Sequence, residues 1–143
     1  MMEPLETIVD PKQANPILLA YVGDAVQEVY VRMHVINQGV AKPNELHKAS
    51  TAYVSAYAQA KAAHDFIEQD VLTAEEAAVL RRGRNAKSTV PKSADPATYR
   101  YSTGFEALIG YLYLMDRQER LRTLIAQALK MADEGKEGGS ERE

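Results

Sequence analysis

Residues 16–36, PILLAYVGDAVQEVYVRMHVI, carry apolar side chains on two sides of the helix that their spacing dictates. At 100° per residue, Leu18, Leu19, Val22, Val26, Val29, Tyr30 and Met33 share one side, while Ile17, Ala20, Val31 and Val35 flank the other. A helix apolar on both sides is sandwiched between neighbours, so the segment predicts a central helix with others packed around it. Its second side also carries Asp24, next to Gly23, with Gln27 and Glu28 beside it. Glycine inside a helix costs about 1 kcal/mol against alanine, and an ionised carboxylate among apolar neighbours costs several kcal/mol unless something pairs with it. Both residues need a reason to be there.

The same situation recurs in YSTGFEALIGYLYL, residues 101–114. Phe105, Leu108, Ile109 and Leu112 read as core, and Glu106 lies on a narrow stripe with Thr103, Gly110 and Tyr113. Gly110, one turn beyond Glu106, suits a point of close approach for another helix or a ligand. Two acids thus sit in the two most apolar helices. Each could cap a neighbouring helix or pair with an arginine, or the two could form a shared site.

The remaining segments extend the helical pattern, with no convincing alternating strand. Asn15-Pro16 caps the first helix, which runs to Ile36 with Gly39 as a stop. A second helix opens near Pro43 and continues into the sixties. Thr73 and Glu76 form a capping box for a third over Ala74 to about Arg84. NAKSTVPKSA, residues 85–94, is polar and aperiodic, so an exposed loop is expected before the Asp95-Pro96 cap of the next helix. After a break near Asp116, a last amphipathic helix carries Leu121, Leu124, Ile125, Ala128 and Leu129. The expectation is one all-α domain of five or six helices over 15–132, an N-terminal extension over 1–14, and an acidic, disordered tail over 133–143.

Charge narrows the chemistry. The 143 residues carry a net charge of -3, but Arg81 to Arg100 hold six basic residues against Asp95 alone, leaving 11 basic and 19 acidic elsewhere. A cationic segment on an anionic protein suits a local meeting with a polyanion; a solvated Lys- and Arg-rich loop is the plainer alternative. Cysteine is absent, and His34, His47 and His64 are too scattered for a zinc set. Paired carboxylates without soft ligands favour a hard cation such as Mg²⁺. Phosphodiester backbones are bound by Lys and Arg and hydrolysed with a divalent ion. The acidic N-terminus lacks a signal pattern and no stretch has the roughly 18 apolar residues of a membrane span, so a cytoplasmic location is expected.

YVGDAV and FEALIGYLYL resemble the two acidic signature motifs of the ribonuclease III family, in the family's order and at its separation of about 80 residues. The likeness covers roughly residues 15 to 130. It implies a ribonuclease III-like endonuclease domain of five to seven helices. The family's usual C-terminal double-stranded-RNA-binding domain is expected to be missing, since little sequence follows the second motif to form it. Together with RRGRNAKS and TYRYSTGFEALIGYLYL, that makes it similar to the family's compact bacterial branch. The resemblance further implies a homodimeric, Mg²⁺-dependent enzyme that cuts double-stranded RNA and trims the precursor of large-subunit ribosomal RNA.

Residue by residue, Asp24 and Glu106 match the family's metal-coordinating, catalytic acids. Two positions depart from the full-length enzymes: Ala20 replaces a glutamate four residues before Asp24, and Thr103 an aspartate three residues before Glu106. Half of the usual acidic constellation is therefore missing, which leaves the metal count open and admits a non-catalytic RNA-binding or ribosome-associated protein as the alternative. Tyr21 occupies the position of an aromatic that packs into the partner subunit, unless it is an ordinary core tyrosine. Arg82, Arg84, Asn85, Lys87, Lys92 and Arg100 are the candidates for gripping a duplex by its phosphates and 2′-hydroxyls.

Overall fold

A computed structural model describes residues 3–6 and 9–142, with side chains as far as residue 135. Among the described residues it contains six α-helices: α1 (Pro16–Asn37), α2 (Pro43–Val54), α3 (Ala56–Glu68), α4 (Ala74–Asn85), α5 (Pro96–Leu114) and α6 (Gln118–Arg142). The all-α expectation holds. None of these helices is long and apolar enough to cross a membrane.

Local chemistry sets most of the boundaries. Asn15 accepts a hydrogen bond from the Ile17 N–H at 2.9 Å, with Pro16 in the first turn of α1. Thr73 and Glu76 exchange both bonds of a capping box, and Asp95 accepts from Thr98 N at 3.0 Å ahead of Pro96. Gly39 turns the chain at φ 90°, and Asp116 separates α5 from α6 at φ 56°. Much of the acidic tail expected to be disordered falls among side chains outside the described residues, although α6 extends to Arg142.

The expected second helix is two helices. Ser55 lies in extended backbone (φ -63°, ψ 153°), ends α2, and caps α3 by accepting from Ala58 N at 3.2 Å. A serine can end one helix and start the next without proline or glycine, because its hydroxyl satisfies a first-turn N–H.

Helix α5 is the centre, packed by α1, α3 and α4. From Ser102 to Leu112 every residue is buried except Glu106. The buried face of α1 straddles the two apolar sides that its sequence marks, taking residues from each. Leu19, Ala20, Val26, Val31 and Val35 are buried, whereas Leu18 (52%), Val29 (48%) and Met33 (56%) remain substantially exposed. The reason is the crossing point. A Cβ built on Gly23 would lie 1.8 Å from the main-chain oxygen of Glu106, and one on Gly110 would lie 1.9 Å from that of Leu19. The two helices touch backbone to backbone there, as only glycine permits, and this fixes which face of α1 turns inward.

Candidate active site

The crossing of α1 and α5 also brings the two acids together. Asp24 follows Gly23 and stands exposed at the rim, while Glu106 lies half-buried beneath it. The Glu106 carboxyl is pushed up to about 8, first by burial and then by its hydrogen bond to Asp24 and that residue's negative charge, with a hydrogen bond from Gln59 opposing the rise. Glu106 therefore keeps its proton near neutral pH, as one of two carboxyls held this close does.

Comparison with Glu76 separates a structural acid from this pair. Glu76 is 2% exposed. Burial would raise it, but hydrogen bonds from the Arg120 guanidinium at 2.8 Å, with Thr73 adding to them, hold it below its ordinary value. Glu75 is likewise held low, by hydrogen bonds from Tyr111 and Arg117. None of the ion pairs among the described residues includes Asp24 or Glu106. Neither acid caps a helix, since the side-chain caps described are Asn15, Ser55, Thr73 and Asp95.

The chemistry of this donor pair suits a divalent cation. Two close carboxylates with no cationic side chain paired to them, among the described residues, form a site that either a proton or a hard cation must neutralise. Mg²⁺ is commonly held by one or two carboxylates, with water and substrate phosphates completing its shell. Among the described residues no cluster of three or more potential ligands occurs. The two positions where full-length enzymes carry further acids are closed: Ala20 is 7% exposed, and Thr103, at 8%, donates its hydroxyl to the Tyr99 carbonyl at 3.1 Å.

The basic segment divides into two kinds of residue. Arg82 donates to the carbonyls of Lys12 (3.3 Å) and Ala14 (2.8 Å), tying the segment before α1 onto α4. Arg84 donates to the Asn85 side chain at 3.1 Å and to the Tyr101 hydroxyl at 3.4 Å, with its guanidinium 5.6 Å from that ring's centroid. Lys87, Lys92 and Arg100 are exposed around the loop between α4 and α5. Arg100 precedes Glu106 by six residues, about 9 Å along the α5 axis at 1.5 Å per residue. Tyr21 is 81% exposed, which removes the core-tyrosine alternative.

Gln59 was not among the candidates read from the sequence, yet it touches Glu106. Its signal was present: Gln59, Ala62, Ala63 and Phe66 form an i, i+3, i+4, i+7 stripe, all buried, with one polar member.

Comparison with known proteins supplies a family. Residues 18–117 match the sequence model of the Ribonuclease III domain. The chain is 49% identical over 129 residues to the Mini-ribonuclease 3 of Enterococcus faecalis, covering 90% of this chain and 98% of that protein. It is 45% identical over 127 residues to that of Streptococcus pneumoniae, covering 88% and 99% respectively. A crystal structure of a Fusobacterium nucleatum protein superposes with a TM-score of 0.72 at 30% identity, covering 82% of this chain and 93% of that one.

Proposed function

The chain belongs to the ribonuclease III family, and on that premise we propose that it is an endoribonuclease that cleaves double-stranded RNA with Mg²⁺ held by Asp24 and Glu106. Its physiological target on this reading is the precursor of large-subunit ribosomal RNA, acted on in the cytoplasm. The observation that carries the proposal is the adjacency of Asp24 and Glu106 at the crossing of α1 and α5, a carboxyl pair that no ion pair among the described residues neutralises.

When bound, Mg²⁺ supplies Lewis acidity toward the phosphodiester and counter-charge for the departing oxygen. Asp24 and Glu106 provide the anionic oxygens that hold it, and the proton on Glu106 must leave first, so metal uptake releases a proton. Lys87, Lys92 and Arg100 bind the RNA backbone, with Arg84 and Asn85 at the end of α4 lining the same approach. Arg82 serves this surface indirectly, by fastening α4 to the segment that leads into α1.

Incubating the protein with long duplex RNA is the direct test. Cleavage that needs Mg²⁺ and stops with EDTA is expected; duplex that is bound but never cut would favour the non-catalytic RNA-binding reading, for which the buried Ala20 and Thr103 are the supporting observations. Replacing Lys87, Lys92 and Arg100 together by alanine is expected to weaken duplex affinity and reduce its salt slope by about one unit for each phosphate that is no longer neutralised. Unchanged affinity would remove this loop from the RNA interface.

A homodimer forms part of the proposal. Leu18, Tyr21, Val29 and Met33 leave an apolar stripe exposed along α1, and a second copy would cover it with a self-complementary face. Tyr21→Glu places a charge within that stripe and is expected to yield monomers in analytical ultracentrifugation. A variant that remains dimeric would move the interface elsewhere.

A further inference from the structure

Beneath the carboxylate pair lies a buried amide relay of fixed polarity. Gln27 on α1 and Gln59 on α3 are 5% and 4% exposed. The Gln27 side chain donates its Nε2–H to the main-chain oxygen of Tyr53 at 3.3 Å. A carbonyl can only accept, so the amide group of Gln27 that faces Tyr53 is its NH₂, and its Oε1 is turned toward Gln59. There it accepts from Gln59 Nε2 at 2.5 Å. The Gln59 NH₂ has two hydrogens: one is taken by Gln27, and Gln59 also hydrogen bonds to Glu106. Reversing either amide would set two acceptor oxygens against each other in a buried site.

We propose that Gln59 is a positioning residue for Glu106, holding its carboxylate toward Asp24 in the orientation that receives the divalent cation, with Gln27 locking Gln59 in turn. The proposal rests on the reading of Asp24 and Glu106 as the metal pair. The relay begins at a carbonyl in the last turn of α2, where helix carbonyls run out of helical donors, and the break at Ser55 is what ends that helix. Gln27 thus joins α1 to α2, and Gln59 joins α3 to α5, so four elements fix one carboxylate. Partners of this kind, one step removed from the ion, orient its ligands, and their loss commonly weakens metal affinity by roughly 10- to 100-fold. With two protein carboxylates at the site, each one's orientation carries a large share of the affinity.

The test is a Mn²⁺ titration of RNA-free protein, read by the electron paramagnetic resonance of the free ion, on wild type, Gln59→Leu, Gln27→Leu and the double variant. Gln59→Leu is expected to weaken Mn²⁺ binding by about tenfold, while duplex RNA affinity in EDTA stays at the wild-type value. Gln27→Leu, which removes the lock and leaves Gln59 in place, is expected to weaken it less, and adding it to Gln59→Leu should change nothing further. Wild-type Mn²⁺ affinity in Gln59→Leu would overturn the proposal; should that variant fail to fold, wild-type affinity in Gln27→Leu would do so. An Asp24→Asn control separates the two levels. If Asp24→Asn loses Mn²⁺ and Gln59→Leu keeps it, the relay alone is wrong; if Asp24→Asn binds Mn²⁺ like wild type, the metal pair itself is wrong and the relay falls with it.

Discussion

Asp24→Asn is expected to lower double-stranded-RNA cleavage by about 10³-fold or more while leaving a folded protein that still binds duplex. The substitution keeps the shape of the side chain and removes one of two anionic ligands, and transition-state stabilisation by a bound cation is worth several kcal/mol, at about 1.4 kcal/mol per tenfold in rate. The same change is expected to make the metal-free protein more stable at pH 8. Glu106 titrates near 8 when folded, against a usual value of 4.5. Below about pH 4.5 the folded and unfolded chains are both protonated at this position, and the stabilising contribution is fully present. As pH rises through the interval, the unfolded chain ionises while the folded one retains its proton, so stability is lost until the folded value is passed. Burial is the larger cause of the shift and persists in the variant; the Asp24 charge is the part removed. Melting curves from pH 5 to 8.5 without metal should therefore fall with pH in wild type, by up to a few kcal/mol, and fall less steeply in Asp24→Asn. Undiminished cleavage by the variant would refute the catalytic assignment, and parallel melting profiles would refute the proximity of the two carboxyls.

Gly23→Ala is expected to be among the most damaging single-methyl changes available to this chain. In an isolated helix it would be favourable by about 1 kcal/mol. Here the new Cβ would fall 1.8 Å from the Glu106 oxygen and 2.8 Å from the Gly110 nitrogen. These are main-chain atoms of another helix, so no rotamer change relieves the overlap and α1 must move away from α5. Overpacking of ordinary cores costs about 1–3 kcal/mol. A helix–helix crossing with no side chains to yield should exceed that, reaching the range of about 4–5 kcal/mol or beyond that marks an exceptional substitution. Against a typical total of about 5–15 kcal/mol, much of the protein would unfold. Separating the helices also separates Asp24 from Glu106, so any folded remainder should lose its metal. Urea denaturation followed by circular dichroism measures the effect; a neutral or stabilising alanine would mean that the backbones do not meet at residue 23.

The parts of this architecture that depend on neighbouring residues could be read without the fold. The caps at Asn15-Pro16, Thr73–Glu76 and Asp95-Pro96 are local chemistry, and each forms as its sequence suggests. The two acids were conspicuous because each breaks an otherwise apolar helix. What sequence could not decide was set by tertiary contact. Helix α1 has two apolar sides, and Gly23 against Gly110, not the number of large residues, turns inward a face that takes Leu19 and Val26 from one and Ala20, Val31 and Val35 from the other. Ser55 divides a run of good helix formers by adopting extended backbone between α2 and α3, for which no proline or glycine gives notice. Arg82 reads as one more cation in a basic stretch, yet its guanidinium is engaged by the carbonyls of Lys12 and Ala14, some 70 positions away. Gln59 reads as an isolated polar residue among alanines until α5 places Glu106 beside it.

The central claim is that Asp24 and Glu106 converge on one divalent cation. X-ray diffraction from crystals grown with Mn²⁺, with data collected at the manganese absorption edge, tests it most directly. The expected result is an anomalous peak within about 2.2 Å of a carboxylate oxygen from each residue, the coordination distance of a small hard cation. A peak that touches neither residue, or side chains turned away from each other with manganese bound elsewhere, would contradict it.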